Sequence, residues 1–208
     1  MTFAVLLITD PAYDVVRATT AALAGAAPGE VAVQLRDKAA DDATVAATAR
    51  ALRGPCRDAG APLIVNGRVE VARAIGADGV HLPERGPSVA EARAALGPGA
   101  LVGASRHGPP RSDEAPDYVT LSPIRAVAGK AAPLGIEGFS AAAAAWPVEA
   151  YALGGVDGAL APALVRAGAA GVAVIRAVFA ADDPAAALAA LIAAVRGAGT
   201  WRAPGDDG

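Results

Sequence analysis

Eight short apolar runs, four to seven residues each, recur along this chain with alanine-rich stretches between them. They lie at 3–9, 31–36, 62–66, 79–82, 101–105, 118–122, 148–153 and 171–175, and Val, Leu and Ile dominate them. A strand covered on both faces needs such unbroken apolar character, whereas a half-exposed strand alternates. The intervening stretches predict helices over 11–24, 42–59, 69–75, 88–96, 135–145, 159–167 and 184–195. Pro11, Ser88 and Pro184 suit helix starts, and Gly25, Gly60, Gly76, Gly97, Gly168 and Gly197 suit helix ends. Strands alternating with helices pair in parallel, and eight of them close a barrel where five or six would leave an open sheet. The expected fold is therefore α/β, a single-domain (β/α)8 TIM barrel over 1–197, with 198–208 as a flexible C-terminal tail. One link is irregular, because 108–116 is too short for a full covering helix between the fifth and sixth strands.

Composition removes several function classes. Charged residues make up 19% of the chain, the formal net charge is −3, and no basic stretch stands out, so no nucleic-acid partner is expected. No apolar run reaches the ~18 residues of a membrane span, and no basic segment precedes Phe3, so the expectation is a soluble cytoplasmic protein with no membrane partner. Cys56 is the single cysteine, which rules out an internal disulfide and a zinc site of paired cysteines. The alanine-rich helices present smooth faces on which two copies could pair, leaving a homo-oligomer open.

In barrels of this type the chemistry sits where strands end and the following loops begin. Those positions hold Thr9-Asp10, then Gln34 through Lys38, Asn66-Gly67-Arg68, His81, Ser105-Arg106-His107, Gly154-Gly155 and Ile175-Arg176, with Arg125 and Lys130 in the loop after the sixth strand. Arg36, Lys38, Lys130 and Arg176 facing one mouth would make an anion pocket. Gly154 and Gly155, after the seventh strand, occupy a customary phosphate position, where bare amides approach oxygen closely. Plainer readings stand beside these. Arg36 and Lys38 could pair with Asp37 or Asp41 at the surface, Asn66-Gly67 could be only a turn, and His107 could be an exposed loop residue. His81, inside an apolar run, reads better as a hydrogen-bonded structural histidine.

Taken in order, these phrases resemble the thiamine phosphate synthase and thiazole tautomerase superfamily. The matching segments are Leu7-Ile8-Thr9-Asp10, Val33-Gln34-Leu35-Arg36-Asp37-Lys38, Val65-Asn66-Gly67-Arg68-Val69, Gly79-Val80-His81-Leu82, Gly103-Ala104-Ser105-Arg106-His107, Pro133-Leu134-Gly135-Ile136-Glu137-Gly138 and Leu153-Gly154-Gly155-Val156. The resemblance implies a barrel of thiamine biosynthesis. Its synthase branch joins a pyrimidine diphosphate to a thiazole phosphate and releases pyrophosphate with Mg²⁺. By that resemblance Gln34, Arg36, Lys38, Asn66, Ser105 and Lys130 contact the pyrimidine and pyrophosphate, while Gly154 or Gly155, with Ile175 and Arg176, holds the thiazole phosphate.

The chain also departs from the synthase pattern. Gly67 and Gly86 stand where that pattern has Mg²⁺-binding aspartates, Ala126-Val127-Ala128-Gly129 lacks the usual threonines, and Arg176 replaces a serine. Mg²⁺ needs hard oxygen ligands, so their loss points to the tautomerase branch, which the resemblance gives neither metal nor cofactor. There one histidine moves a proton on a thiazole carboxylate phosphate, and the resemblance places that role on His107. The expectation is thus a metal-independent tautomerase with a phosphorylated thiazole as its small-molecule partner. The alternatives are a divergent synthase, with Glu84 or another carboxylate on Mg²⁺, and a phosphate-ligand binder without turnover.

Overall fold

In a computed structural model, describing residues 2–110, 115–127, 129 and 132–199, eight parallel strands close into one barrel in chain order. They are β1 Val5–Ile8, β2 Val31–Leu35, β3 Leu63–Asn66, β4 Gly79–Leu82, β5 Leu101–Arg106, β6 Tyr118–Leu121, β7 Glu149–Leu153 and β8 Gly171–Val174. Closure is direct, because β1 pairs with β2 on one side and with β8 on the other. The helices are α1 Val15–Leu23, α2 Asp42–Asp58, α3 Val69–Ile75, α4 Val89–Leu96, α5 Gly135–Ala144, α6 Ala161–Arg166, α7 Arg176–Phe179 and α8 Pro184–Arg196. Of the expected tail, only Ala198 and Gly199 fall among the described residues, and Lys130 falls outside them.

Local chemistry explains most boundaries. Ser88 caps α4 with a reciprocal bond to Glu91, and Gly76 ends α3 in the left-handed conformation. The start expected at Pro11 lies four residues later instead, because Asp14 accepts from the Arg17 amide and caps α1, while Asp10 holds Ala12 in a turn before it. Asp183 caps α8 in the same manner through the Ala186 amide, with Pro184 at the first helical position. Replacing Asp183 by Ala is expected to cost about 1 kcal/mol and lower the melting midpoint by roughly 2–4 °C, read by thermal denaturation.

Two apolar clusters form, one between strands and helices and one inside the barrel. The inner cluster places Phe3 under two tyrosines, with ring centroids 4.5 Å from Tyr151 and 5.4 Å from Tyr118. Glycine makes this possible. A methyl group on Gly103 would lie 2.1 Å from the Tyr118 ring, and one on Gly171 would lie 2.8 Å from the Tyr151 ring. Large rings therefore fit only because the facing wall is bare. This aromatic floor closes the N-terminal end and leaves the C-terminal end open.

Candidate functional site

Above the aromatic floor the inward positions change from apolar to polar. Gln34, Asn66, His81 and Ser105 line a cavity of about 470 Å³ at the C-terminal mouth, together with Arg36, Lys38, Arg85, Glu84, His107, Gly154 and Ile175. The volume lies within the usual range for small-molecule sites. A larger depression of about 940 Å³ at the opposite end, bordered by Asp117, Trp146 and Glu149, gathers no comparable set of cations.

Strand ends are pinned so that these side chains point inward. Thr9, fully buried, receives the Arg36 amide on its hydroxyl at 2.9 Å, and its own amide donates to the Gln34 carbonyl at 2.9 Å. Both ends of Gln34–Leu35–Arg36 are thereby fixed to Thr9, the residue that follows β1. Across the mouth, the Ile124 and Arg125 amides donate to the Gly154 carbonyl at 3.1 and 3.0 Å, and Arg125 meets Asp157 at 2.6 Å. Gly154 has φ +97°, a conformation that disfavours a side chain. Among the described residues, the Gly154 and Gly155 amides and those opening α7 at Arg176 and Ala177 have no backbone acceptor. Such amides suit an anionic oxygen.

Gln34 is 1% exposed, and its side-chain nitrogen has no hydrogen-bond partner among the described residues. A buried donor without an acceptor is rare and calls for one. His81, 2% exposed, bonds through Nδ1 to the Tyr118 hydroxyl at 3.2 Å and through Nε2 to Ser105 at 2.9 Å. Burial, then the charges of Arg106 and Arg36, press its pKa down to about 3, so the ring is neutral. His107 is half-exposed at the rim, with Nδ1 3.1 Å from Glu84 Oε2. Elsewhere, burial pushes the Cys56 thiol up to about 12, in keeping with a packing role.

Most residues expected at the site therefore meet at one opening: Gln34, Arg36, Lys38, Asn66, Ser105, His107, Gly154 and Ile175. Two stand aside. Gly155 packs behind the mouth, where an added methyl would lie 2.7 Å from Arg125 Cβ, and Arg176 opens α7 with its side chain exposed. His81 is hydrogen-bonded and buried as the sequence leads one to expect, and it also forms part of the cavity wall, as does Arg85, which the strand-end pattern does not single out. Glu84, expected as a possible Mg²⁺ ligand, lies on the same wall, whereas no sequence signal points to Arg85.

Known proteins are similar along most of the chain. The family profile described as Thiamine monophosphate synthase matches residues 5–178. Over 174 residues the chain is 41% identical to a thiamine-phosphate synthase of Chloroflexus aurantiacus, covering 80% of each. Over 192 residues it is 37% identical to a thiamine-phosphate synthase of Synechocystis, covering 89% of this chain and 55% of that protein, so it spans about half of that relative. A solved structure, thiamine phosphate pyrophosphorylase from Pyrococcus furiosus, superposes with a TM-score of 0.82 at 27% identity, covering 94% of this chain and 96% of that one.

Proposed function

Because the chain belongs to the thiamine monophosphate synthase family, we propose that it joins a pyrimidine diphosphate to a thiazole phosphate and releases pyrophosphate. The sequence alone had favoured the tautomerase branch, but the relatives carry the synthase name. The observation that carries the synthase reading is the unpartnered Gln34 amide at the base of the cavity. An N–H donor buried there favours a substrate that brings a ring acceptor, which an aminopyrimidine does.

The rest of the mouth suits two phosphorylated partners. Arg36, Lys38 and Arg85 gather positive charge in a chain whose net charge is −3, and so concentrate an anion at this end. They would offset charge that builds on the diphosphate as its bond to the pyrimidine methylene breaks. The Gly154 amide and the opening of α7 would hold the thiazole phosphate, fixing the ring nitrogen for bond formation to that methylene.

Mg²⁺ needs one or two carboxylates beside phosphate oxygens. Among the described residues, Glu84 is the one carboxylate lining the cavity, and no group of three or more His, Cys, Asp or Glu could hold a metal. Glu84 meets the minimum, so it would hold the ion only jointly with the substrate diphosphate. A bound ion would supply further neutralisation of the leaving pyrophosphate.

One observation favours the isomerase as a second reading. His107 lies against Glu84 in the same cavity, and a carboxylate-oriented imidazole is a ready acid–base group. Assay separates the two. Pyrimidine diphosphate, thiazole phosphate and Mg²⁺ are expected to yield pyrophosphate. No pyrophosphate, with conversion of the thiazole carboxylate isomer in chelator that is lost in His107→Asn, would move the assignment to the isomerase. Binding of thiazole phosphate with neither turnover would leave a ligand binder.

A further inference from the structure

We infer that His81 is a positioning residue whose ring, oriented by Tyr118, turns the Ser105 hydroxyl proton outward into the mouth as a donor to an anionic substrate oxygen. The inference rests on the reading that the mouth binds a phosphorylated substrate; which reaction follows does not affect it.

The direction comes from accounting for each buried proton. A neutral imidazole carries one N–H, on either nitrogen. Among the described residues, His81 Nδ1 at 3.2 Å is the hydrogen-bond partner of the Tyr118 hydroxyl, which is 2% exposed. If Nδ1 carried the hydrogen, the tyrosine O–H would be buried with no acceptor. If the tyrosine O–H donates to Nδ1 instead, Nε2 carries the hydrogen and donates to Ser105 Oγ at 2.9 Å. Burial holds the Tyr118 proton in place by raising its pKa, so the phenol remains a donor.

Thr120 settles the rest. Its hydroxyl is fully buried, with Ser105 Oγ at 3.2 Å and His81 Nε2 at 3.4 Å within reach. A protonated Nε2 accepts nothing, so the threonine proton goes to Ser105. Ser105 Oγ then accepts from His81 and from Thr120, filling both of its lone pairs, and its own hydrogen has only the mouth to face. Ser105 lines that cavity, on the wall that also carries Arg36 and Asn66. With the opposite tautomer the serine hydrogen would turn back toward Nε2 and the mouth would gain an acceptor, which repels an anion.

The sequence builds this arrangement from three neighbouring strands. His81 on β4 and Gly103 on β5 are paired in register, as are Gly103 with Tyr118 and Ser105 with Thr120 between β5 and β6. A bare Gly103 lets the Tyr118 ring cross the wall beneath His81, where a side chain would collide with it. Phe3, entering β1, packs edge-on against the same ring and supports it from below.

Two measurements test the inference. Long-range ¹H–¹⁵N spectra of the unmodified protein are expected to show His81 as the Nε2–H tautomer at neutral pH; an Nδ1–H tautomer would overturn it. Calorimetry with inorganic pyrophosphate as the probe is expected to show about tenfold weaker binding in Ser105→Ala and a several-fold loss in Tyr118→Phe. The double variant should lose no more than Ser105→Ala alone, because tyrosine acts through the serine. Additive losses, or no pyrophosphate binding to the unmodified protein, would overturn it. Failure of the synthase assay with this coupling intact would instead count against the assigned reaction alone. Should Tyr118→Phe not fold, the tautomer still decides.

Discussion

Acidification from about pH 6.5 to about pH 3 is expected to remove on the order of 5 kcal/mol of folding free energy through His81 alone. In the folded chain, burial and then Arg106 and Arg36 hold this imidazole near 3, while in the unfolded chain it titrates near its ordinary 6.5. Between those values the unfolded chain binds a proton that the folded chain refuses. Stability is therefore complete above about pH 6.5 and falls as the pH drops toward 3. The interval from pH 6 to pH 5 is diagnostic, because carboxylates have hardly begun to protonate there, and a single proton gives a slope approaching about 1.4 kcal/mol per pH unit. Urea unfolding across that interval should show the slope, and His81→Gln, which keeps hydrogen-bonding capacity without a titrating ring, should flatten it. An equal slope in the variant would place the proton uptake elsewhere.

The barrel is legible in the sequence because parallel strands covered on both faces must be apolar throughout, which leaves runs such as Val5–Ile8 and Gly171–Val174 standing out from the alanine-rich helices. Strand ends are less legible. Thr9 and Arg36 look like strand residues, yet they meet through the Thr9 hydroxyl and the Arg36 amide beyond the ladder's end. Rim residues such as Gln34 and Asn66 could be found because every strand end in this fold faces the same mouth. What stayed hidden depends on pairings distant in the chain. His81 looks like a core histidine until Tyr118, 37 positions away, is seen to reach it across Gly103. Glu84 and His107 lie 23 positions apart and meet only because β4 and β5 are neighbours. Arg176 carries the charge of a phosphate ligand, but the short turn of α7 leaves its side chain exposed beside the cavity.

Gln34→Met is expected to weaken pyrimidine diphosphate binding by about 10- to 100-fold while leaving the unliganded protein as stable as before, or more stable by up to about 1 kcal/mol. The opposite signs follow from one fact. The Gln34 side-chain nitrogen is buried and unpartnered in the unliganded barrel, so the folded state bears the cost of a donor withdrawn from water with no bond in return. Methionine is unbranched but of nearly the same length, so it fills most of the same space and removes that cost. The ligand, in contrast, loses the one buried donor that would recognise its ring, and its acceptor is left facing a thioether. Gln34→Ala could not show this, since the void it opens would lower stability by itself. Thermal denaturation without ligand and calorimetric titration with the pyrimidine diphosphate measure the two halves. A variant that loses stability together with affinity would make Gln34 a structural residue of β2. Affinity left unchanged would mean that its amide meets no part of the substrate, and the synthase reading would lose the observation that carries it.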